Sequence, residues 1–572
     1  MVRMKLAPAA VLFASVLSGC AALRNETPKA PGLLPNAATV AAATALPEPP
    51  KLGISLTTDG KLAGQVHAEL RVAAELCTKG FYFEPARAKL TTLEAADARG
   101  ELELSQKPDG AVLRIEAKRA AQGIVTVRYS VALDASVRTP FTSVAEATDL
   151  RVEGRDVLLL PVGEEALPVA LRITVSAGKS EAASSFAVGS EQRFSARPSE
   201  LRAGTFVAGD LGHAQFRAAD GDDFSVWAGF TSFDARWVAA ETASVRSAVD
   251  DYMGALPHER RAAVSFLLLP EPREQPGASI RLSVRGLVAS VDPRSTWSAP
   301  LRLRTAQALT QRTIGGRLWI GNRDKAASGF FFSEGFSRAM AQEIVAAIGI
   351  FEHADRAAEL NTLLQALDLS PLGRASAAEL ARSADKQEML RVVTARGALV
   401  ALSIGAALQK ETKGKSSLKT FARALLERAD KRDTLPFEEL SDTLARLLPK
   451  ERAENVLRSL SAGGETTVPS DLIGPCYKLV KGNVAPFELG FDVETTPEGL
   501  SVKHMIAGSA AAKAGLRDGD VLRELNYQDG RSDLPVITFR VGAATMVTFT
   551  PAKKPKPGRY FQRVRGVAER DC

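Results

Sequence analysis

The sequence predicts a multidomain α+β chain: an N-terminal antiparallel β-sandwich, a mainly helical lobe, and a small C-terminal domain. Three observations predict it. Apolar and polar residues alternate over residues 64–202, as in Val125-Thr126-Val127-Arg128-Tyr129, with turn signals such as Lys107-Pro108-Asp109-Gly110 between runs. From about Ala240 the apolar period lengthens to that of helices. A Gly/Thr/Pro-rich linker, residues 461–470, then precedes the last domain. A chain of 572 residues exceeds one core, since single cores rarely pass ~250 residues. At 45% hydrophobic and 24% charged it has an ordinary globular composition, and a net charge of +7 on this length does not point to nucleic acid.

Taken in order, residues 1–20 read as an export signal: Arg3 and Lys5 form a charged start, an apolar run follows, and Leu17-Ser18-Gly19-Cys20 ends it. That ending resembles a bacterial lipobox. The resemblance implies cleavage before Cys20 and lipidation of its thiol and new amine, the multi-chain anchor that one acyl chain cannot provide. Ala21 rather than Asp after the cysteine implies the periplasmic face of the outer membrane of a bacterial envelope. Residues 21–58, rich in Ala and Pro, are expected to form a tether. Residues 59–205 are expected to form the β domain, without chemistry of its own, and residues 206–462 the helical lobe. Strands are expected at 264–269 and 280–284. Helices are expected at 245–256, 303–314, 333–348, 355–366, 377–391, 395–409 and 418–429, with Ser333 as an N-cap and Gly349 just past a C-terminus.

Within the lobe, residues 306–318 read A-Q-A-L-T-Q-R-T-I-G-G-R-L and residues 330–336 read F-F-F-S-E-G-F. In H-E-x-x-H two His at i and i+4 share a helix face and hold zinc, and the Glu activates a water. The two segments resemble the A-H-E-L-F-H-x-W-x-G-G-R-I and W-F-x-E-G-F-T of the glycyl aminopeptidase family of PDZ-containing gluzincin metallopeptidases. Gln307 and Gln311 stand at the His positions, Ala308 at the Glu position, and Glu334 at the third-ligand position. Residues 395–409, A-R-G-A-L-V-A-L-S-I-G-A-A-L-Q, resemble a further helix of that family, with Gly405 where the family has Asp and Gln409 where it has Arg. The resemblance implies a thermolysin-like lobe. The four degenerate positions imply no catalytic residue, no metal and no cofactor, because a neutral amide oxygen is a weak zinc donor.

The five His, at 67, 213, 258, 353 and 504, offer no second pair at helical spacing, and G-x-S-x-G and phosphate-binding glycine loops are absent. In residues 463–572, Leu489-Gly490-Phe491 and the stretch 508–525 resemble a PDZ-like domain, with the first as its carboxylate-binding loop. Such a loop receives a peptide C-terminus that adds as a strand. The basic run at residues 551–565 reads as a solvated end. Export implies an oxidising compartment, so Cys476 and Cys572, which open and close the last domain, are expected to pair and Cys77 to stay buried and free.

The sequence reading is therefore an envelope-anchored pseudopeptidase. It is expected to bind peptide C-termini or envelope proteins rather than cut them. Two other readings stay open: an active metallopeptidase or other hydrolase with a displaced site, and a purely structural envelope protein.

Overall fold

Alternation of buried and half-buried residues sets the first strand, Leu52–Thr58, in which Leu52, Ile54 and Leu56 point into a core. The computed structural model describes residues 49–572 apart from 86, 135–140, 142, 180, 219–220, 230–232, 255–265, 272–276, 285, 294, 322–328, 430–433, 497, 528–531, 533, 543–544 and 569–570. The expected export signal, with Cys20, and residues 21–48 of the expected tether lie outside the described residues. The expected tether ends earlier than residue 58, because 52–58 form a strand paired on both sides.

That strand is third in a seven-stranded sheet and runs parallel to Leu167–Thr174, so the N-terminal β region is mixed rather than purely antiparallel. Two four-stranded sheets complete the β-rich domain, whose buried residues include Phe81, Phe83, Tyr129 and Phe206. The strand Thr205–Gly209 pairs with Asp149–Glu153, so the domain runs past residue 205.

The lobe opens with a five-stranded mixed sheet, in spatial order Leu211–Ala218, Gly221–Ala228, Phe266–Pro270, Leu287–Val291 and Ala278–Leu282. Its helices are α1 (Ala235–Met253), α2 (Ala299–Gln311), α3 (Ser337–Ala347), α4 (His353–Asp368), α5 (Ala377–Arg382), α6 (Lys386–Glu411), α7 (Leu418–Ala429), α8 (Glu438–Ala445) and α9 (Lys450–Ala462). Sequence periodicity misplaced one break and missed α8 and α9. The interruption falls at residues 383–385, where the Asp385 side chain accepts from the Glu388 N–H and starts α6. Ser333 caps nothing; it lies inside a π-helical turn, Phe331–Phe336, that runs into α3. Gly349 does end α3: at φ +76° its N–H reaches Ala346 O while Ile350 N–H reaches Val345 O, closing the last turn. Helix α6 is long and apolar enough to cross a bilayer, yet its apolar stretch is 83% buried inside the lobe, which makes it the central core helix.

At the C-terminus five antiparallel strands, Asp492–Thr496 to Thr545–Phe549, form a sheet with its own small core around Phe491, Leu522 and Phe549. A second ribbon, Tyr477–Val484 with Lys556–Arg563, brings the two ends of this region together. Cys476 and Cys572 are disulfide-bonded across it, with Cα atoms 5.3 Å apart, and Cys77 is buried and free. The basic run is exposed at Lys553, Lys554, Lys556, Arg563 and Arg565, as expected, and departs from a solvated end only at Arg559. Arg559 is 7% exposed, pairs with Asp368 on α4 through Nη2–Oδ1 at 2.7 Å and Nε–Oδ2 at 3.0 Å, and donates to Thr466 O.

Candidate functional site

Spacing of four along α2 places Gln307 and Gln311 on one face, and the π-helical turn presents Glu334 to that face. Gln311 Nε2 donates to Glu334 Oε2 at 2.9 Å, and Gln307 Nε2 approaches the same oxygen at 3.4 Å and Glu334 O at 3.2 Å. Gln307 and Gln311, one turn apart on α2, thus meet Glu334, which lies more than twenty residues further along the chain. Ala308, 6% exposed, packs in the lobe core and brings no polar group.

Charge fixes the direction of these amides. An amide turned the other way would set its oxygen against the carboxylate oxygen, so the N–H groups face Glu334. The carboxylate has a further neighbour that sequence reading missed. Arg338, one turn along from Glu334, hydrogen-bonds Glu359 through Nη2 at 3.0 Å and reaches Gln307 Oε1 at 3.5 Å. Burial opposes the charge of Arg338, but Glu359, with Glu334 behind it, outweighs this and raises its pKa. Its i+4 spacing from Glu334 was the available sequence signal. Glu359 on α4 carried none.

Burial pushes the Glu334 carboxyl above the ordinary carboxylate range, against the opposing pull of the Gln311 amide and the Arg338 charge. Among the described residues no backbone N–H donates to this carboxylate; the Gln307 and Gln311 side-chain amides face it instead.

The glycines that the motif resemblance relies on have local reasons. Gly315 sits at φ +101°, and a Cβ there would lie 2.6 Å from the Ser333 Cβ, so the Gly315-Gly316 turn presses against the Glu334 segment. On the other side, helix α6 touches that segment at Gly397. Arg396 beside it is fully buried, donates to the Gly373 and Ala375 carbonyls, and lies 5.8 Å from the Phe331 ring centroid.

Elsewhere, Gly490 sits at φ +91°, where a Cβ would meet Ser509 Cβ and Oγ at 2.7 Å. Ser509 Oγ in turn accepts from the Ala512 N–H at the short helix Ala510–Lys513. A side chain at Gly490 therefore disturbs the fold of this domain itself. The adjoining strand Asp492–Thr496 is the edge of its sheet.

A β-rich domain ahead of a small mixed sheet and a helical lobe is a fold like that of the M1 aminopeptidases. A particular solved example is an aminopeptidase N family protein from Idiomarina loihiensis, matched at TM-score 0.63 and 14% identity over 89% of this chain and 97% of that one. An M1 zinc metallopeptidase from Deinococcus radiodurans (TM-score 0.45, 15% identity, 73% of this chain and 94% of that one) and native yeast LTA4 hydrolase (0.43, 13%, 75% and 72%) are looser matches that carry no argument. At these identities the likeness is one of fold. No family model matches the chain, and no curated protein matches it by sequence.

The gluzincin resemblance of residues 306–318 and 330–336 implies zinc, and the donor set here does not fit it. Zinc needs lone pairs directed at one point, whereas Gln307 and Gln311 direct N–H groups at the sole carboxylate. Among the described residues no group of three His, Cys, Asp or Glu is placed to hold a metal ion.

Proposed function

We propose that this chain is a lipid-anchored envelope protein that uses a metallopeptidase fold to bind peptides or protein partners without cutting them. The observation that carries the reading is the Gln311–Glu334 hydrogen bond at 2.9 Å, which uses the surviving carboxylate to receive an amide N–H. No general base stands at Ala308, and losing a base alone typically costs roughly 10²–10⁴ in rate. The glycyl aminopeptidase resemblance, finer than the fold likeness, supplies the family. Its PDZ-like loop, Leu489-Gly490-Phe491 beside an edge strand, is the proposed place for a peptide C-terminus. The lipobox at Cys20 supplies the anchor.

The test uses the chain lacking residues 1–20, with bound metal and aminopeptidase turnover on Gly- and Ala-leading peptides measured together. Neither is expected. The Gln307→His, Ala308→Glu, Gln311→His triple variant is expected to bind zinc. Stoichiometric zinc and chelator-sensitive turnover in the unmutated chain would overturn the reading. For the anchor, Cys20→Ala is expected to move the protein out of the membrane fraction; unchanged fractionation counts against it.

A further inference from the structure

Glu343 lies nine residues beyond Glu334, two and a half turns along, so it faces the other side of the α3 segment. There it enters an open cavity of about 1530 Å³ between α1, α3, α6, α7, α9 and residues 463–472, separate from the Gln307–Gln311–Glu334 cluster. Tyr252, 8% exposed at the end of α1, donates its hydroxyl to Glu343 Oε2 at 2.6 Å. Glu343 Oε1 accepts nothing from the described residues. Gly405 on α6 keeps that oxygen open, since a Cβ there would come within 3.2 Å of it.

Arg356, in the first turns of α4, lines the same cavity. Its guanidinium makes no hydrogen bond or ion pair with any described residue, and its Nε is buried without a partner. Leaving a charged donor buried and unmatched costs folding free energy. The Glu343 charge acts on it without pairing, and burial lowers the Arg356 pKa while raising that of Glu343. A guanidinium with open donors and a carboxyl with an open oxygen thus face one space, each lacking the partner its chemistry calls for.

We propose that this cavity is a binding site for a polar carboxylate, with Arg356 as its receptor and the Tyr252–Glu343 pair hydrogen-bonding the group next to it. A guanidinium presents parallel N–H donors that match a carboxylate fork. Lys410, Lys419, Arg452 and Arg458 also line the cavity, Lys419 and Arg452 being held by Asp251 and Glu411, so the choice of a carboxylate rests on the planar fork of Arg356, with phosphate as the competing anion in the test. The other carboxylates at the wall do not supply the missing anion: Asp251 is held by Lys419 at 2.8 Å, Glu465 faces Arg559 at 3.4 Å, and Asp471 forms no ion pair with Arg356. Small-molecule pockets run to roughly 1,000 Å³, so this space admits a few residues of a peptide ending in a free carboxylate. Polar lining by Ser403, Gln409 and Asn455 suits a peptide backbone and disfavours an acyl chain.

The experiment is titration calorimetry of the full chain with N-acetylated Gly-Ala-Ala as the free acid, the same peptide amidated, and inorganic phosphate. The free acid is expected to bind, amidation or Arg356→Gln to weaken it at least tenfold, and Arg356→Lys to retain part of the affinity. Tyr252→Phe is expected to weaken it less than Arg356→Gln. Because the guanidinium has no protein partner, Arg356→Met is expected to leave the melting temperature unchanged or raised. Equal binding of acid and amide, undiminished binding by Arg356→Gln, tighter binding of phosphate than of the free acid, no binding of the free acid, or a lowered melting temperature in Arg356→Met would each overturn the proposal. Variants at Gln307 and Gln311 are expected to leave this binding unchanged, which separates it from the fate of the pseudopeptidase reading.

Discussion

Gly335 and Gly397 touch backbone to backbone: a Cβ on Gly335 would fall 2.5 Å from the Gly397 Cα, and one on Gly397 would fall 2.2 Å from the Phe331 carbonyl oxygen. The first glycine belongs to the π-helical turn that carries Glu334 and the second to the central helix α6. Their contact sets how far Glu334 projects toward α2. Neither neighbour is a flexible side chain that can swing away, so any side chain here forces the two segments apart.

Gly397→Ala is therefore expected to destabilise the lobe by about 1–3 kcal/mol, the usual cost of overpacking. The gain in helix propensity from Gly to Ala, up to about 1 kcal/mol, offsets only part of it. Urea unfolding checks this. A variant as stable as the parent would show that the segments are free to separate.

Glu334 has a raised pKa, burial being the main cause. Well below the ordinary carboxylate range both folded and unfolded states are protonated and burial adds no penalty. As pH rises the unfolded carboxyl ionises first, so this group subtracts stability progressively until the folded carboxyl has ionised too. Glu334→Gln keeps an acceptor for the amides of Gln307 and Gln311 and removes the titration. The stability of the variant relative to the parent is expected to grow from pH 4.5 to pH 7, read by urea unfolding across that range. A difference that stays flat or shrinks would contradict the assignment.

Asp368 and Arg559 join α4 to the final strand through two charge-assisted hydrogen bonds, at 3.0 and 2.7 Å. Asp368→Ala leaves the buried guanidinium only the more distant and exposed Glu465, at 3.4 Å, as a counter-ion, and the expected loss is about 3 kcal/mol. The Asp368→Leu, Arg559→Met double variant is expected to lose much less, since no charge is left unmatched. Thermal melts of the three chains decide it.

The Cys476–Cys572 bond closes a loop of 96 residues in sequence separation. Chain entropy assigns such a loop about 4 kcal/mol. Cys572→Ser is expected to loosen the ribbon 477–484 with 556–563 first, seen as new protease cleavage there under conditions that leave the parent intact. Peptide mapping without reduction is expected to recover the two cysteines together.

How much of this was legible beforehand depended on how local the cause is. That residues 307, 308 and 311 offer neither a His nor a general base is written in the sequence, and the period-two and helical patterns gave the β-rich domain and the lobe because side-chain facing repeats along a single segment. Even the strand 52–58 was readable from Leu52, Ile54 and Leu56, though the Pro-rich composition ahead of it masked the signal. Helices α8 and α9 were missed although each buries one apolar face, Leu440 and Leu444 in α8 and Ala453, Leu457 and Leu460 in α9.

What only the tertiary structure decided are relationships between segments far apart in sequence. That two amides satisfy Glu334 depends on α2 and the π-helical turn meeting across more than twenty residues, and that Gly397 is there to let them meet depends on α6. The inward turn of Arg559, the one buried member of an otherwise exposed basic run, follows from Asp368 waiting on α4. Arg356 and Glu343, unremarkable in the sequence, share a cavity because α3 and α4 pack around it. A sequence fixes which groups a chain owns and the local period of their facing. Which of them end up buried together, and which are left without a partner, is set by packing, because desolvation and pairing depend on neighbours in space.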